Sequence, residues 1–402
     1  MKTFRQRDKE KKILFTNPKK NSVAILYSDD YWIRRLILKN IPATTFGLYP
    51  GETTIYLTWE LFLRTLSRLL RSKVEVAITP WSIKKLARCV YDNYILACLD
   101  QAEAKVVLTF IDNGTIFQRL SVLDKARSYF AIQNGARTLA CVRDSLVGYS
   151  CPSISMTNLF CFGRREIRLF KSHKHKIKKF YPFGSLIGSY YKFTNGKKQC
   201  RLKKYDLCLI SQWSPIFFIE KKGEGFAREA GIRTRDGVLG LTDLLARLLK
   251  ETGLRILICP RGDDYEEIKY YTQKIKQPIY FSQHDRPSFA TYRAVEKSKV
   301  AIGLNSTVLS EVFAWGQKVL WCNPTSDPHF EMKCAGLCYF EGNNYLAFKR
   351  KILNILKMDL SMYKQLTAKR AAYINNFDPR EPSHLKIRHM VGQALNNRIG
   401  HE

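Results

Sequence analysis

The sequence predicts an α/β protein built as two doubly wound domains that face each other across a central cleft. Three observations lead there. The chain has 402 residues, sized for two units at about 100–200 residues per domain. Apolar, β-branched runs of strand length alternate with segments of helical apolar spacing, the pattern of a parallel sheet covered by helices. Near the middle, a polar stretch without periodicity interrupts this alternation, which then begins again.

Taken in order, SVAILYS (22–28) predicts a strand and DDYWIRRLILKNI (29–41) a helix. Helical spacing follows over 59–70 and 82–99, then a buried strand, KVVLTFID, ending at Asp112. A helix near 115–127 leads to the strand YFAIQNG, the strand NLFCFG with a short helix behind it, and IKKFYPFGS, ending near Ser185. Residues 1–191 form the first domain on this reading, and the polar segment 192–206 is the linker. The second domain, 207–376, restarts with YDLCLISQW, GLTDLLARLLKE and LRILICPRG, and continues through a helix over 265–274 to the strand PIYFSQ. After a further helix it closes with KVAIGL, VLSEVFAW and KVLWCNP. The last segment, 377–402, predicts a helix that crosses back to the first domain.

Composition restricts the partners. Hydrophobic residues make up 45% of the chain and aromatics 12%, enough apolar surface for packed cores. The 67 Lys and Arg against 35 Asp and Glu leave a net charge of +32, and such a field calls for an anionic partner. Nucleic acid, an anionic leaflet and phosphorylated small molecules all qualify. No zinc-finger spacing, RNP-type aromatic signature or helix-turn-helix is present, so nucleic acid has no reading element. The N-terminal MKTFRQRDKEKK lacks the apolar core of a signal peptide, and no stretch of ~18 apolar residues stands ready to span a bilayer. The expectation is a cytoplasmic protein, peripheral on the inner face of the membrane. The basic runs from Lys171 to Lys179 and from Lys197 to Lys204 are either solvated surfaces or docking patches for anionic headgroups. The eleven cysteines lie mostly within apolar runs and read as buried thiols. Cys334 and Cys338 come nearest to a metal pattern but lack a second ligand pair, and no metal is expected.

The sharpest local signal is KVAIGLNSTVLSEVFAWGQKVLWCNP, residues 299–324. Asn305, Ser306 and Thr307 end a strand and open a helix, where backbone N–H groups, the positive helix end and two hydroxyls suit a phosphate. Glu311, one turn on, suits a ribose diol; the alternative is a plain helix cap with Glu311 completing a capping box. Asp112 and Asn113 end a central strand of the first half. Asp112 is placed to act as a general base, or to cap the next helix. Gln133, Asn134 and Arg137 follow the next strand and suit sugar hydroxyls or an acceptor phosphate, or else form a polar turn. Arg261 suits donor phosphates or a surface turn. His284 can meet the base, the phosphate or a leaving group, or be held structurally. Asn323 is placed as a wall of the same pocket.

The pattern Gly303-x-Asn305-Ser306-Thr307, with Glu311 four residues on and then Gly316-x-Lys318-Val319, resembles the donor-nucleotide motif of GT-B glycosyltransferases of bacterial surface-carbohydrate synthesis. TFIDNGTIFQRL, YFAIQNGAR, NLFCFGRREIRLF, YPFGSLIGSYY and ILICPRG resemble further segments of that group in the same order, so the likeness covers roughly residues 105–325. The resemblance implies two Rossmann-like domains and transfer of a sugar from a CMP-, UDP- or GDP-linked donor. The acceptor it implies is a surface glycan or lipid-linked chain, such as lipopolysaccharide O-antigen or core, or capsule. It implies no obligatory cofactor or metal. Two alternatives stand beside it: a CDP-polyol phosphotransferase of teichoic-acid type, and a basic nucleic-acid-binding protein.

Overall fold

The computed structural model describes residues 12–27, 31–48, 54–71, 80–138, 154–173, 175–196, 203–215, 226–262, 265–283 and 289–396. His284 and residues 197–202 of the second basic run lie outside them. A short ribbon pairs β1 (Lys12–Leu14) with β4 (Thr54–Tyr56). The first large sheet contains β2 (Val23–Tyr27), β3 (Ala43–Gly47), β5 (Val106–Thr109), β6 (Ser128–Ile132), β7 (Ser155–Cys161) and β8 (Lys176–Pro182), in the order β3-β2-β5-β6-β7-β8. The second contains β9 (Tyr205–Ile210), β10 (Ile256–Cys259), β11 (Ile279–Phe281), β12 (Ser298–Gly303), β13 (Lys318–Asn323) and β14 (Tyr339–Glu341), in the order β11-β10-β9-β12-β13-β14. Every pairing in both sheets is parallel.

The inner strands are apolar along their whole length because both faces are covered. Val23–Tyr27, Val106–Thr109 and Ile256–Cys259 are buried at every position. The period-two pleat divides them between faces. Ala24, Leu26, Val107 and Ala131 join one core, where α2 (Pro80–Gln101) and α3 (Thr115–Leu123) contribute Leu99, Phe117 and Leu120. Val23, Ile25, Val106 and Leu108 join the other, with the π-helical turn Ile33–Leu38. That core also takes Ile387 and Val391 from Ser383–Asn396, the last helix, which thus lies on the first sheet.

Before α2 comes α1 (Trp59–Arg71), and after β7 comes α4 (Arg164–Ser172). α5 (Leu186–Asn195) follows β8 and carries the chain towards the second sheet. The segment expected as an unstructured linker from residue 192 is therefore helical through Asn195. Packing holds it: the Tyr191 ring stacks on Tyr292 with centroids 4.8 Å apart, and its hydroxyl donates to Glu296 at 2.7 Å. Lys192 pairs with the same carboxylate at 3.1 Å. Among the described residues no helix is long and apolar enough to cross a membrane.

Candidate functional site at the facing strand ends

A doubly wound sheet opens a crevice where its strand order reverses, outside the carboxyl ends of the two strands concerned. In the second sheet that point lies between β9 and β12. Gln212 follows β9 and Asn305 follows β12, and the two side chains are bonded amide to amide. The Gln212 Nε2 donates to Asn305 Oδ1, while Gln212 Oε1 accepts from the Asn305 backbone N–H at 2.9 Å. After α6 (Phe226–Thr252), α7 (Tyr265–Lys274) and α8 (Ala290–Glu296), α9 (Thr307–Ala314) starts immediately behind Asn305 and Ser306. Ser306 has the extended backbone of an N-cap, yet its side chain makes no capping hydrogen bond, so its hydroxyl is not consumed by the helix it precedes.

The first sheet reverses between β2 and β5, and there a side chain fills the crevice. Tyr27 adopts a positive φ of 87° at the end of β2. Its hydroxyl accepts from the backbone N–H groups of Ile116 at 2.9 Å and Phe117 at 3.2 Å, which are first-turn donors of α3. Gly114 permits this, since a Cβ there would stand 2.2 Å from the Tyr27 ring. The helix cap offered in sequence by Asp112 is thus supplied by Tyr27.

Asp112 is buried beyond the end of β5 and pairs through Oδ1 with the Arg137 guanidinium; the Asn134 N–H reaches the same oxygen at 3.5 Å. Asn113 beside it is half-buried. Arg137 in turn is held from behind. Its N–H donates to Glu166 at 3.3 Å and its carbonyl accepts from Arg165 at 2.6 Å. Burial pushes the Glu166 carboxyl above its ordinary range, with Arg165 and Arg137 opposing that. Gln133 is buried and committed to backbone: its Nε2 donates to the Gly135 carbonyl at 2.7 Å, and its Oε1 accepts from the Phe162 N–H at 3.3 Å. That bracing excludes the acceptor contact expected of it, because the loop itself uses both ends of the amide. Asn134 is exposed.

The two sets of strand ends meet directly. Thr307 Oγ1 accepts from the Ala136 N–H at 3.0 Å, and a Cβ on Gly135 would lie 3.2 Å from the same oxygen. Thr307 therefore bonds the first domain rather than standing free for a ligand.

Glu311 differs more sharply from the sequence reading. It is buried, and Ser185 and Tyr292 donate their hydroxyls to its two oxygens, Tyr292 at 2.8 Å. Burial drives its carboxyl up to about 7 against the pull of those two hydroxyls and the Gly188 N–H. With one oxygen held by Ser185 at the start of α5 and the other by Tyr292 of the second half, the buried Glu311 locks the two halves together rather than standing open to a ribose.

Asn323 is likewise internal. It is fully buried, its Nδ2 donates to the Asp327 carbonyl at 2.9 Å and to Tyr339 at 3.0 Å, and its Oδ1 accepts from the Asp327 N–H at 3.0 Å. It shapes the turn after β13 and presents no wall to a pocket. Arg261 follows β10 with an exposed side chain, its backbone N–H held by the buried Glu267 at 3.0 Å. Gln212, Tyr27, Ser185 and the Arg165–Glu166 pair carry much of this site and were not singled out in the sequence; only Gln212, polar at the end of the strand YDLCLIS, left a positional signal. No group of three or more His, Cys, Asp or Glu positioned to hold a metal occurs among the described residues.

No family model matches the chain, and no curated protein matches it. Solved structures do. The wall teichoic acid polymerase TagF superposes with a TM-score of 0.51 at 10% identity, over 95% of this chain and 91% of that one. A putative UDP-N-acetylglucosamine 2-epimerase from Listeria monocytogenes superposes with a TM-score of 0.53 at 12% identity, over 95% of this chain and 98% of that one. At such identities the likeness speaks to architecture: the chain has the GT-B fold, two Rossmann-like domains facing one another across their strand ends.

Proposed function

We propose that this chain transfers a sugar from a nucleotide-activated donor to a surface glycan or lipid-linked acceptor, with the nucleotide seated at the β9–β12 crevice. The observation that carries the reading is the contrast between the two switch points. The first is filled by the Tyr27 ring, whereas the second is lined by the Gln212–Asn305 pair, the Ser306 hydroxyl and the start of α9. Donor phosphates fit that helix start, where N–H dipoles and a hydroxyl offset the charge that develops on the leaving group. Arg261, exposed two strands away, adds a guanidinium for the same phosphates. Acceptor and base come from the first domain. Arg137 holds Asp112 by Oδ1, leaving Oδ2 to take the proton of an acceptor hydroxyl. Asn113 and the exposed Asn134 flank it and suit sugar hydroxyls. Lipopolysaccharide or capsule chains are the acceptors this reading favours, with the protein peripheral on the inner face of the membrane.

A nucleotide panel tests it. CMP, CDP, UDP and GDP are compared by thermal shift on the wild type and on Ser306→Asp. Asp is itself a good N-cap, so α9 survives the substitution while its carboxylate repels a phosphate. One nucleotide should stabilise the wild type, by about 2.7 kcal/mol at a hundredfold excess over Kd, and should fail on the variant. Absence of stabilisation by all four refutes the placement. A response confined to CDP, with turnover of a CDP-linked polyol and of no nucleotide sugar, moves the reading to polyol-phosphate transfer; the similar TagF structure is by name a teichoic acid polymerase.

A further inference from the structure

α1 has the sequence WELFLRTLSRLLR, and only Leu61 and Thr65 among its thirteen residues are buried. At about 100° per residue, Trp59, Phe62, Leu63, Leu66 and Leu70 fall on one arc roughly 100° wide. That stripe points outward. Trp59 is 72% exposed and Leu70 is 77% exposed. α2 runs alongside and exposes an apolar row of its own, Ile83, Leu86 and Val90. Between the helices lies a groove of about 590 Å³ lined almost wholly by apolar and aromatic side chains, Tyr56, Tyr91 and Tyr94 among them. Among the described residues nothing covers so continuous an apolar face, and soluble monomers seldom expose one without a partner.

The charges around it say what the partner is. The nearby carboxylates are already engaged: Glu60 with Arg64 at 3.0 Å, Asp92 with Arg119 at 2.7 Å, and Asp100 with both Arg68 and Arg127. Arg71, Lys85 and Arg88 are exposed, and among the described residues no carboxylate pairs with them. An exposed apolar stripe on helices whose polar side carries cations is the make-up of a surface that lies in the interface of an anionic bilayer, apolar face in the acyl boundary and cations reaching the headgroups. A second copy of this chain fits poorly, because a two-fold contact would set like-charged flanks of a +32 chain against each other. We infer that the α1–α2 face seats the first domain in an anionic lipid surface. The Lys-rich run at residues 171–179 has a separate use: Lys176, Lys178 and Lys179 are exposed on β8, the edge strand of its sheet, where lysines discourage strand addition. The proposal gives the peripheral placement of the transferase reading its contact surface, and it stands on the α1–α2 face whether or not the donor site is as proposed.

The full chain is floated with phosphatidylcholine vesicles and with vesicles that also contain phosphatidylglycerol, at low and high salt. Binding should require the anionic lipid and fall with salt. Leu66→Ser with Leu70→Ser, both at solvent-facing positions, should weaken it by roughly tenfold or more, and Arg71→Ser or Arg88→Ser by about fivefold each. Trp59 emission should shift to the blue on anionic vesicles, and Trp59→Phe should remove that component. Three results overturn the assignment: vesicle binding by the Leu66/Leu70 variant equal to wild type, loss of binding in Lys176→Ser/Lys178→Ser alone, or a lipid-free dimer that the Leu66/Leu70 variant dissociates. Nucleotide-induced thermal shifts should be the same in wild type and Leu66/Leu70 variant, which separates failure here from failure of the donor-site assignment.

Discussion

Glu311 offers the clearest quantitative handle on how the two domains are joined. Its carboxyl lies between α9 and the start of α5, surrounded by hydroxyl and amide donors. The folded protein raises its proton affinity from the ordinary 4.5 to about 7. The folded state thus binds the proton more tightly than the unfolded chain. The contribution of Glu311 to stability is greatest below 4.5, declines as pH rises through the interval, and is lost above about 7. A displacement of that size amounts to about 3 kcal/mol. Glu311→Gln keeps the shape and removes the charge, so it mimics the protonated form and should not show the decline. Urea unfolding of wild type and variant at several pH values between about 5 and about 8 isolates the effect, because every other titrating group cancels in the difference. The variant should gain about 3 kcal/mol on the wild type from one end of that range to the other, or 6–12 °C in Tm for a cooperative unit of roughly 150–250 residues. Parallel pH profiles would refute the reasoning and return Glu311 to solvent and to the ribose role expected from sequence.

Two further substitutions bear on the same architecture. Gly188→Ala places a Cβ 2.9 Å from the Cβ of Glu311; the crowding should cost about 1–3 kcal/mol, measured by chemical denaturation, and an unchanged midpoint would mean the α5–α9 contact is loose. Asp112→Asn should lower transfer by about 10²–10⁴-fold while nucleotide-induced stabilisation, which the proposal places at the other domain, persists; turnover within a few-fold of wild type would remove Asp112 as the base.

The fold was legible in the sequence because its cause is local. Strands buried on both faces, such as VAILY and VVLT, must be continuously apolar, and the helices between them must show one apolar stripe. The strand ends were legible for the same reason: where an apolar run stops at Asp112, Gln133 or Asn305, the chain has reached the edge of the sheet. Which polar residue at an edge meets ligand and which meets protein was not legible, since that depends on partners far away in sequence. Glu311 looks the same in sequence whether it faces a ribose or Ser185, 126 positions upstream. Asn323 reads as a pocket wall until Tyr339 and the turn to Asp327 take its amide. The short helix α5 was not predicted at all, because the interactions that order it, from Glu296 and Tyr292, lie in the second half of the chain.

The two domains repeat one plan and differ in how each treats its crevice. In the first, the side chain ending β2 is a tyrosine whose ring needs Gly114 bare and whose hydroxyl supplies the acceptor the α3 amides require. A helix start so satisfied has no use for an anion. In the second, β9 is followed by Ser211 and Gln212, and Gln212 spends its amide on Asn305 rather than on the helix amides. The start of α9 keeps its positive end uncapped by side chains. On the proposed reading, this difference, ring against amide, is what places the anionic half of a substrate at the second domain and leaves the first to present Asp112 and Arg137 across the gap. The Thr307–Ala136 hydrogen bond sets how close those two halves come. Because that bond and the Glu311 cluster both tie α9 to the first domain, a donor bound as proposed at the start of α9 would sense any change in domain spacing through α9 itself.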